Sequence, residues 1–276
     1  MRYLPRDAAP FGEAVWKAID EAVIGAAKAQ LAGRRLLEVA GPFGLGARAM
    51  EAREVEGKAE VAFGAARARM SAPETTPIPC IYSTFSLSLR EVAAAEERGS
   101  LLDLEAATQA AVACARMEDE LIFNGSKELG IQGLLTAVRA GKVRLGDWSE
   151  VGRPAEDLIK AVTALDAAGF RGPYTAALAP PLYNALYRIY EGGNQTQLAH
   201  ARQIISAGLV KAPTLASGGV VLAAGRQFAS VVLGQDMTAA FVGPAGTSFE
   251  FLVLESVCPR ITAPEAVCVL QAGGRA

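Results

Sequence analysis

Apolar residues along the chain recur first at helical and later at strand spacing. From Glu13 to Ala32, Trp16, Ile19, Val23 and Ala26 form one stripe, which predicts an amphipathic helix ended by Gly33. Arg34–Val39 (RRLLEV) reads as a short strand closed by the Gly41-Pro42 turn. Between Pro79 and Leu89, Ile81, Phe85, Leu87 and Leu89 alternate with Tyr82, Thr84, Ser86 and Ser88, as a half-buried strand does. A long helix is expected over about Leu102–Phe123, with Leu104, Ala107, Ala111, Cys114 and Leu121 on one face and Gly125 after its end. Pro154 opens another helix, striped by Leu158, Ile159, Val162 and Leu165 and capped at Gly169. Tyr174–Leu178 reads as a strand. Pro180-Pro181 starts a helix to about Tyr190, Gly192-Gly193-Asn194 breaks it, and Thr196–Ser206 is helical again. From Leu209 the chain turns strand-rich: Val220–Ala224, Phe228–Leu233, Met237–Val242, Phe249–Val257 and Ala266–Leu270. The order predicts an α+β fold without internal repeats.

One segment departs from these patterns. Met50–Met70 mixes charge, alanine and isolated apolar residues and reads as a polar two-stranded hairpin with little core of its own. A lone hairpin is marginal in water, so it needs another subunit to lie on; the competing reading is an unstructured surface loop.

Composition narrows the function. The chain has 276 residues, is 51% hydrophobic and carries a formal charge of −2. No basic stripe or arm marks a nucleic-acid binder. Cys80, Cys114, Cys258 and Cys268 are widely spaced, form no CxxC pair, and read as buried thiols of a reducing compartment. The stretch MRYLPRDAAPFGEAVW lacks the apolar region of a signal peptide, and no run approaches the ~18 apolar residues of a membrane span. A cytoplasmic protein is expected.

Candidate chemistry concentrates in Met117–Leu135 (MEDELIFNGSKELGIQGLL), where Glu118, Asp119 and Glu120 stand together. At helical spacing Glu118 falls on the face of Ala111 and Cys114, while Asp119 and Glu120 point elsewhere, so the acids do not converge on a metal. Carboxylate-bridged sites in bundles also need Glu-x-x-His pairs, and His200 is the one histidine. Glu118 is instead expected to be a buried acid with Arg34 or Arg35 as partner. No GxSxG elbow accompanies His200. The glycines of GPFGLG (Gly41–Gly46) lack the Lys-Ser/Thr of a phosphate loop and read as turn residues.

Six stretches, in this order and spacing, resemble the encapsulins, shell proteins built on the tailed-phage major capsid fold. They are QLAGRRLLEVAGPFG (Gln30–Gly44), TFSLSLREV (Thr84–Val92), Met117–Leu135, FRGPYTAAL (Phe170–Leu178), VVLGQDMTAAF (Val231–Phe241) and PEAVCVL (Pro264–Leu270). The resemblance covers almost the whole chain. It implies an N-terminal helix and the start of a peripheral domain (1–49), an extended loop (50–78), the peripheral domain with its spine helix (79–150), an axial domain (151–215) and return strands (216–276). It implies a non-enzymatic shell protein that closes into an icosahedral cage of about 60 copies. That cage encloses a cargo enzyme, a ferritin-like iron oxidase or a dye-decolorising peroxidase, held by its terminal peptide. The peptide would dock at Arg34, Leu36, Glu38, Asp236, Met237 and Ala239. Gly192, Gly193, Asn194, Gln195, Thr196 and Gln197 would line a fivefold pore whose uncharged turn selects by size. Some members bind flavin on a tryptophan after the TFSLSL-like strand; Arg90 stands there, a poor platform, and no cofactor is expected. The rival readings are a prophage major capsid protein and a protease- or bacteriocin-like enzyme. The N-terminal helix speaks against the first.

Overall fold

The computed structural model describes residues 4 and 6–272. In chain order its elements are α1 (Glu13–Gln30), α2 (Gly33–Leu36), β1 (Glu38–Ala40), β2 (Ala49–Phe63), β3 (Ala66–Pro77), β4 (Cys80–Ser88), α3 (Leu89–Arg98) and α4 (Glu105–Asn124). There follow β5 (Gly125–Ser126), β6 (Ile131–Gln132), β7 (Gly141–Arg144), α5 (Arg153–Ala167), β8 (Tyr174–Leu178), α6 (Pro180–Ala185) and α7 (Gln197–Ile204). The chain ends in β9 (Gly208–Lys211), β10 (Gly219–Ala223), β11 (Ala229–Ala245), β12 (Ser248–Ile261) and β13 (Val267–Gln271).

Two sheets organise these elements. In the first, ordered β1-β11-β12-β4, alternate residues of β4 (Ile81, Phe85, Leu87) turn inward with Phe249, Phe251 and Val253 of β12. α1 and α4 cover that side. Phe11, Trp16, Phe85, Phe241, Phe249 and Phe251 form its aromatic centre, with Phe85 stacked on Phe251 at 4.9 Å. The second sheet, β7-β13-β10-β8-β9, lies between two cores. Val220 and Leu222 of β10 join the first core, while Val221 and Ala223 join a second with Leu158, Leu165, Leu186 and Leu198. Burial on both faces is why β8 and β10 read as continuous apolar runs instead of alternating.

The hairpin β2–β3 stands apart. From Ala66 to Thr75 every residue of β3 is exposed, and the large apolar side chains of Val61, Phe63 and Met70 face solvent. The two-stranded form expected from sequence is present and runs longer, from Ala49 to Pro77.

Several local expectations are corrected. Gly33 does not cap α1, whose C-cap is Leu31; it opens α2, and Arg34–Leu36 are helical, not strand. The cause is Asp119, whose carboxylate accepts from the Ala32 and Gly33 amides (2.8–3.1 Å) and so starts a new helical turn there. Glycine at position 33 lets this turn lie close against α4, where a Cβ would meet Cδ1 of Ile122 at 2.5 Å. On α1, Ala27 rather than Ala26 is fully buried, and Ile159 on α5 is exposed. α6 ends at Ala185, well before Tyr190. Past it, Arg188 and Leu186 offer their carbonyls to the Gln197 and Leu198 amides instead of continuing the helix. The two strands expected over 228–242 are one bulged strand, β11, with register shifts around Gln235. β6 pairs back on β5, and the approach is so close that a Cβ on Gly125 would sit 2.3 Å from the Ile131 carbonyl. α3 and β7 carry no expectation from sequence. Cys80 is exposed, unlike the three other free cysteines.

Candidate functional site

Arg34, on the turn started by Asp119, is the hub of the residues singled out from sequence. Its Nε and Nη2 donate to Glu118 (2.7–3.1 Å), Nη2 also to Glu255 (2.7 Å), and Nη1 to Asp236 (2.6 Å). Glu118 on α4 and Glu255 on β12 are 0% exposed, whereas Asp236, on the β11 bulge, is 58% exposed. One guanidinium thus faces three carboxylates from three elements. Burial, then the neighbouring Glu118, push the Glu255 carboxyl far above the usual carboxylate range. Oε1 of Glu255, buried without a partner, would be costly as part of an anion. Asp119 is separate: burial raises it to about 6 against the two amides that lower it. Glu120 is exposed and accepts from Asn124. The acids of this stretch therefore diverge as their helical spacing implies, and Glu118 has the Arg34 partner expected of it.

A groove of about 440 Å³ opens beside this cluster, between α1 and the β11 bulge. Val23, Ile24, Met237 and Ala239 give it apolar walls, and Asp236, Asp20 and Arg6 give it charge. Arg6 pairs with Asp20 through two 2.6 Å hydrogen bonds, donates to the Ala239 carbonyl (3.0 Å) and stacks 4.4 Å over Trp16. Of the six residues expected to dock a peptide, Asp236, Met237 and Ala239 line this groove and Arg34 touches it through Asp236. Leu36 is buried in the first core. Glu38 lies opposite Ser230 on β1, six residues along β11 from Asp236. Sequence reasoning missed Arg6, Asp20 and Glu255. Only Glu255 left a signal, a lone acid inside the apolar run FLVLESVC.

The second expected site is the turn between α6 and α7. Gly192–Gln195 are exposed at its tip. Its feet are fixed: the Tyr190 amide donates to the Gln195 carbonyl (3.2 Å), and Thr196 caps α7 by accepting from Ala199. Arg188 donates to the carbonyls of Trp148 and Ser149. Gln197 is not at the tip. It is 1% exposed, and its Oε1 accepts from the Gly152 amide (3.0 Å), fastening the turn to the start of α5. His200 hydrogen-bonds the Tyr190 hydroxyl through Nδ1 (2.8 Å). Arg90 is exposed in the first turn of α3. Among the described residues no helix is long and apolar enough to cross a membrane.

Comparison with known proteins bears on the family and the fold. A family model described as an encapsulating protein for peroxidase matches residues 1–258. A type 1 encapsulin shell protein of Myxococcus xanthus is 36% identical, over 96% of this chain and 95% of its own. The fold matches the crystal structure of a virus-like particle from Pyrococcus furiosus with a TM-score of 0.71 at 22% identity, covering 93% of this chain and 99% of that one. It also matches the capsid of Myoviridae phage XM1, with a TM-score of 0.60 at 12% identity over 87% and 90% of the two chains.

Proposed function

The chain belongs to the encapsulin family of shell proteins, and from that membership we propose that it closes into an icosahedral cage of about 60 copies around a cargo enzyme. One observation carries the proposal: the hairpin β2–β3 holds a long ladder of hydrogen-bonded backbone with almost no core beneath it. A two-stranded sheet on its own is marginal in water, so its missing layer comes from another copy. The phage capsid shares only the fold at 12% identity, against 36% for the encapsulin, which favours a shell over a phage capsid protein.

In this reading the hairpin is the extended loop, α4 is the spine of the peripheral domain, and α5–α7 with β8 and β9 belong to the axial domain. The groove between α1 and β11 takes the terminal peptide of a cargo enzyme in the cytoplasm. Its apolar walls and charged rim suit a short peptide anchored by few side chains. The family description favours a peroxidase as cargo; the name of a Pyrococcus furiosus relative, a ferritin-like-encapsulin shell fusion protein, keeps a ferritin-like iron oxidase as the alternative. The tip Gly192–Gln195, with Thr196 and Gln197 as its support, borders the fivefold pore, and its uncharged side chains leave selection to size.

Sedimentation of the full chain beside a variant lacking Glu54–Arg69 tests this. The full chain should sediment as a closed particle and the variant as folded, smaller species. A deletion variant that still closes normally would defeat the proposal.

A further inference from the structure

Among the described residues three buried side-chain polar atoms lack a hydrogen-bond partner, and two of them belong to the start of α5. Gln197, the first residue of α7, is 1% exposed, and its Oε1 accepts from the Gly152 amide (3.0 Å). Its Nε2 is buried and unpartnered. Both atoms belong to one planar carboxamide, so fixing the oxygen on Gly152 aims the NH₂ group at the first turn of α5. Arg153 opens that helix, and its Nε is likewise buried and unpartnered. Oδ1 of Asp157 stands 3.9 Å from it, beyond hydrogen-bonding distance, and already accepts from Lys160 (2.9 Å). The 15-residue helix adds its positive end, because the cap residue Gly152 has no side chain to accept from the first free amides.

Every one of these groups donates, and a buried donor left alone is costly. The neighbouring acids are engaged elsewhere. Glu156 accepts from Nη1 of Arg153 (3.1 Å), and Asp157 from the Gly146 amide and the Trp148 indole as well as Lys160. Asp147 turns to the Ser149 amide (2.8 Å), and Glu150 is exposed. Space lies open beside the cap, where a Cβ on Gly152 would meet nothing within 4 Å. We propose that the start of α5 binds a small inorganic anion, held by Gln197 Nε2, Arg153 Nε and the first amides of the helix. A water would answer the two side-chain donors but not the positive end of the helix, which favours negative charge. The bound anion ties α7 to α5 beneath the α6–α7 turn. The site needs no second copy of the chain and stands whether or not that turn borders a pore.

Bromide is the probe. Crystals of the full chain grown in bromide should show an anomalous peak within hydrogen-bonding reach of Gln197 Nε2. Melting supplies the second readout. Gln197→Glu keeps an oxygen on the Gly152 amide and puts a carboxylate oxygen where the donor stood, so it repels the anion, while a helix N-terminus tolerates the added charge. At matched assembly state, ~100 mM bromide should raise the wild-type midpoint by about 3 °C relative to its effect on Q197E. Should Q197E not fold, the wild-type diffraction decides alone. An ordered water at Nε2 with no bromide there overturns the proposal. So does bromide confined to exposed side chains, an adventitious ion only, or an equal bromide response in wild type and Q197E.

Discussion

Replacing Glu255 by glutamine should stabilise the protein, and more so as the pH rises. Glu255 is fully buried, one of its oxygens has no partner, and it shares Arg34 with Glu118. Burial and Glu118 raise its folded pKa well above the ordinary 4.5. The sign follows from linkage: between the ordinary and the raised value the unfolded chain has released this proton and the folded chain has kept it. Stability therefore falls as pH rises, by about 1.4 kcal/mol per pH unit for one proton. From 4.5 to 7 the loss reaches about 3 kcal/mol, and glutamine, neutral at every pH, removes it. For a chain of this size that is about 5–10 °C in melting temperature. The other strongly displaced groups leave the window from about pH 6.5 to 8.5 clear. Asp119 is raised only to about 6, and the buried thiols of Cys114, Cys258 and Cys268 are pushed up to about 11–12 from 9.0. The assay is thermal melting of wild type and E255Q at matched assembly state across that window. The wild-type midpoint should drop with pH relative to the variant, with the two curves diverging. Parallel curves, or a variant less stable throughout, would mean that Glu255 is an anion in the folded chain and that the proton assignment is wrong.

Two further outcomes bear on the sites. Met237→Asp adds a charge to an apolar wall of the groove, and co-purified cargo or a fused terminal peptide should fall about tenfold while particles persist; unchanged loading would place the docking surface elsewhere. Asn194→Asp adds charge to the exposed tip of the α6–α7 turn, and ferrous-ion entry into loaded particles should then gain a salt-dependent component absent from wild type. A strong charge dependence already in wild type would contradict an uncharged pore.

What was legible in the sequence was whatever a single local period encodes. The stripe of α4 and the diverging directions of Glu118, Asp119 and Glu120 follow from helical geometry alone, and Tyr174–Leu178 is the observed β8 without adjustment. Failures occur where a distant residue overrides local preference. RRLLEV has the composition of a strand, but the Asp119 carboxylate, 86 and 87 residues away, accepts from the Gly33 and Ala32 amides and starts a helix. α6 stops early because its next carbonyls are taken by amides beyond the turn. The groove was half visible. Asp236, Met237 and Ala239 were reached through resemblance, whereas the Arg6–Asp20 pair joins an irregular arm to a helix and leaves no periodic trace. Leu36 shows the limit of carrying residues across a family, since its side chain is spent on the core.

The central claim is that this polypeptide completes its buried surface only against copies of itself. Mass photometry with electron microscopy of the purified chain is the direct measurement. Hollow closed particles of a megadalton or more are expected, about 60 copies of a 28.7 kDa chain. A stable, folded monomer at 28.7 kDa under the same dilute conditions, with the hairpin present and no particles at any concentration, would contradict it.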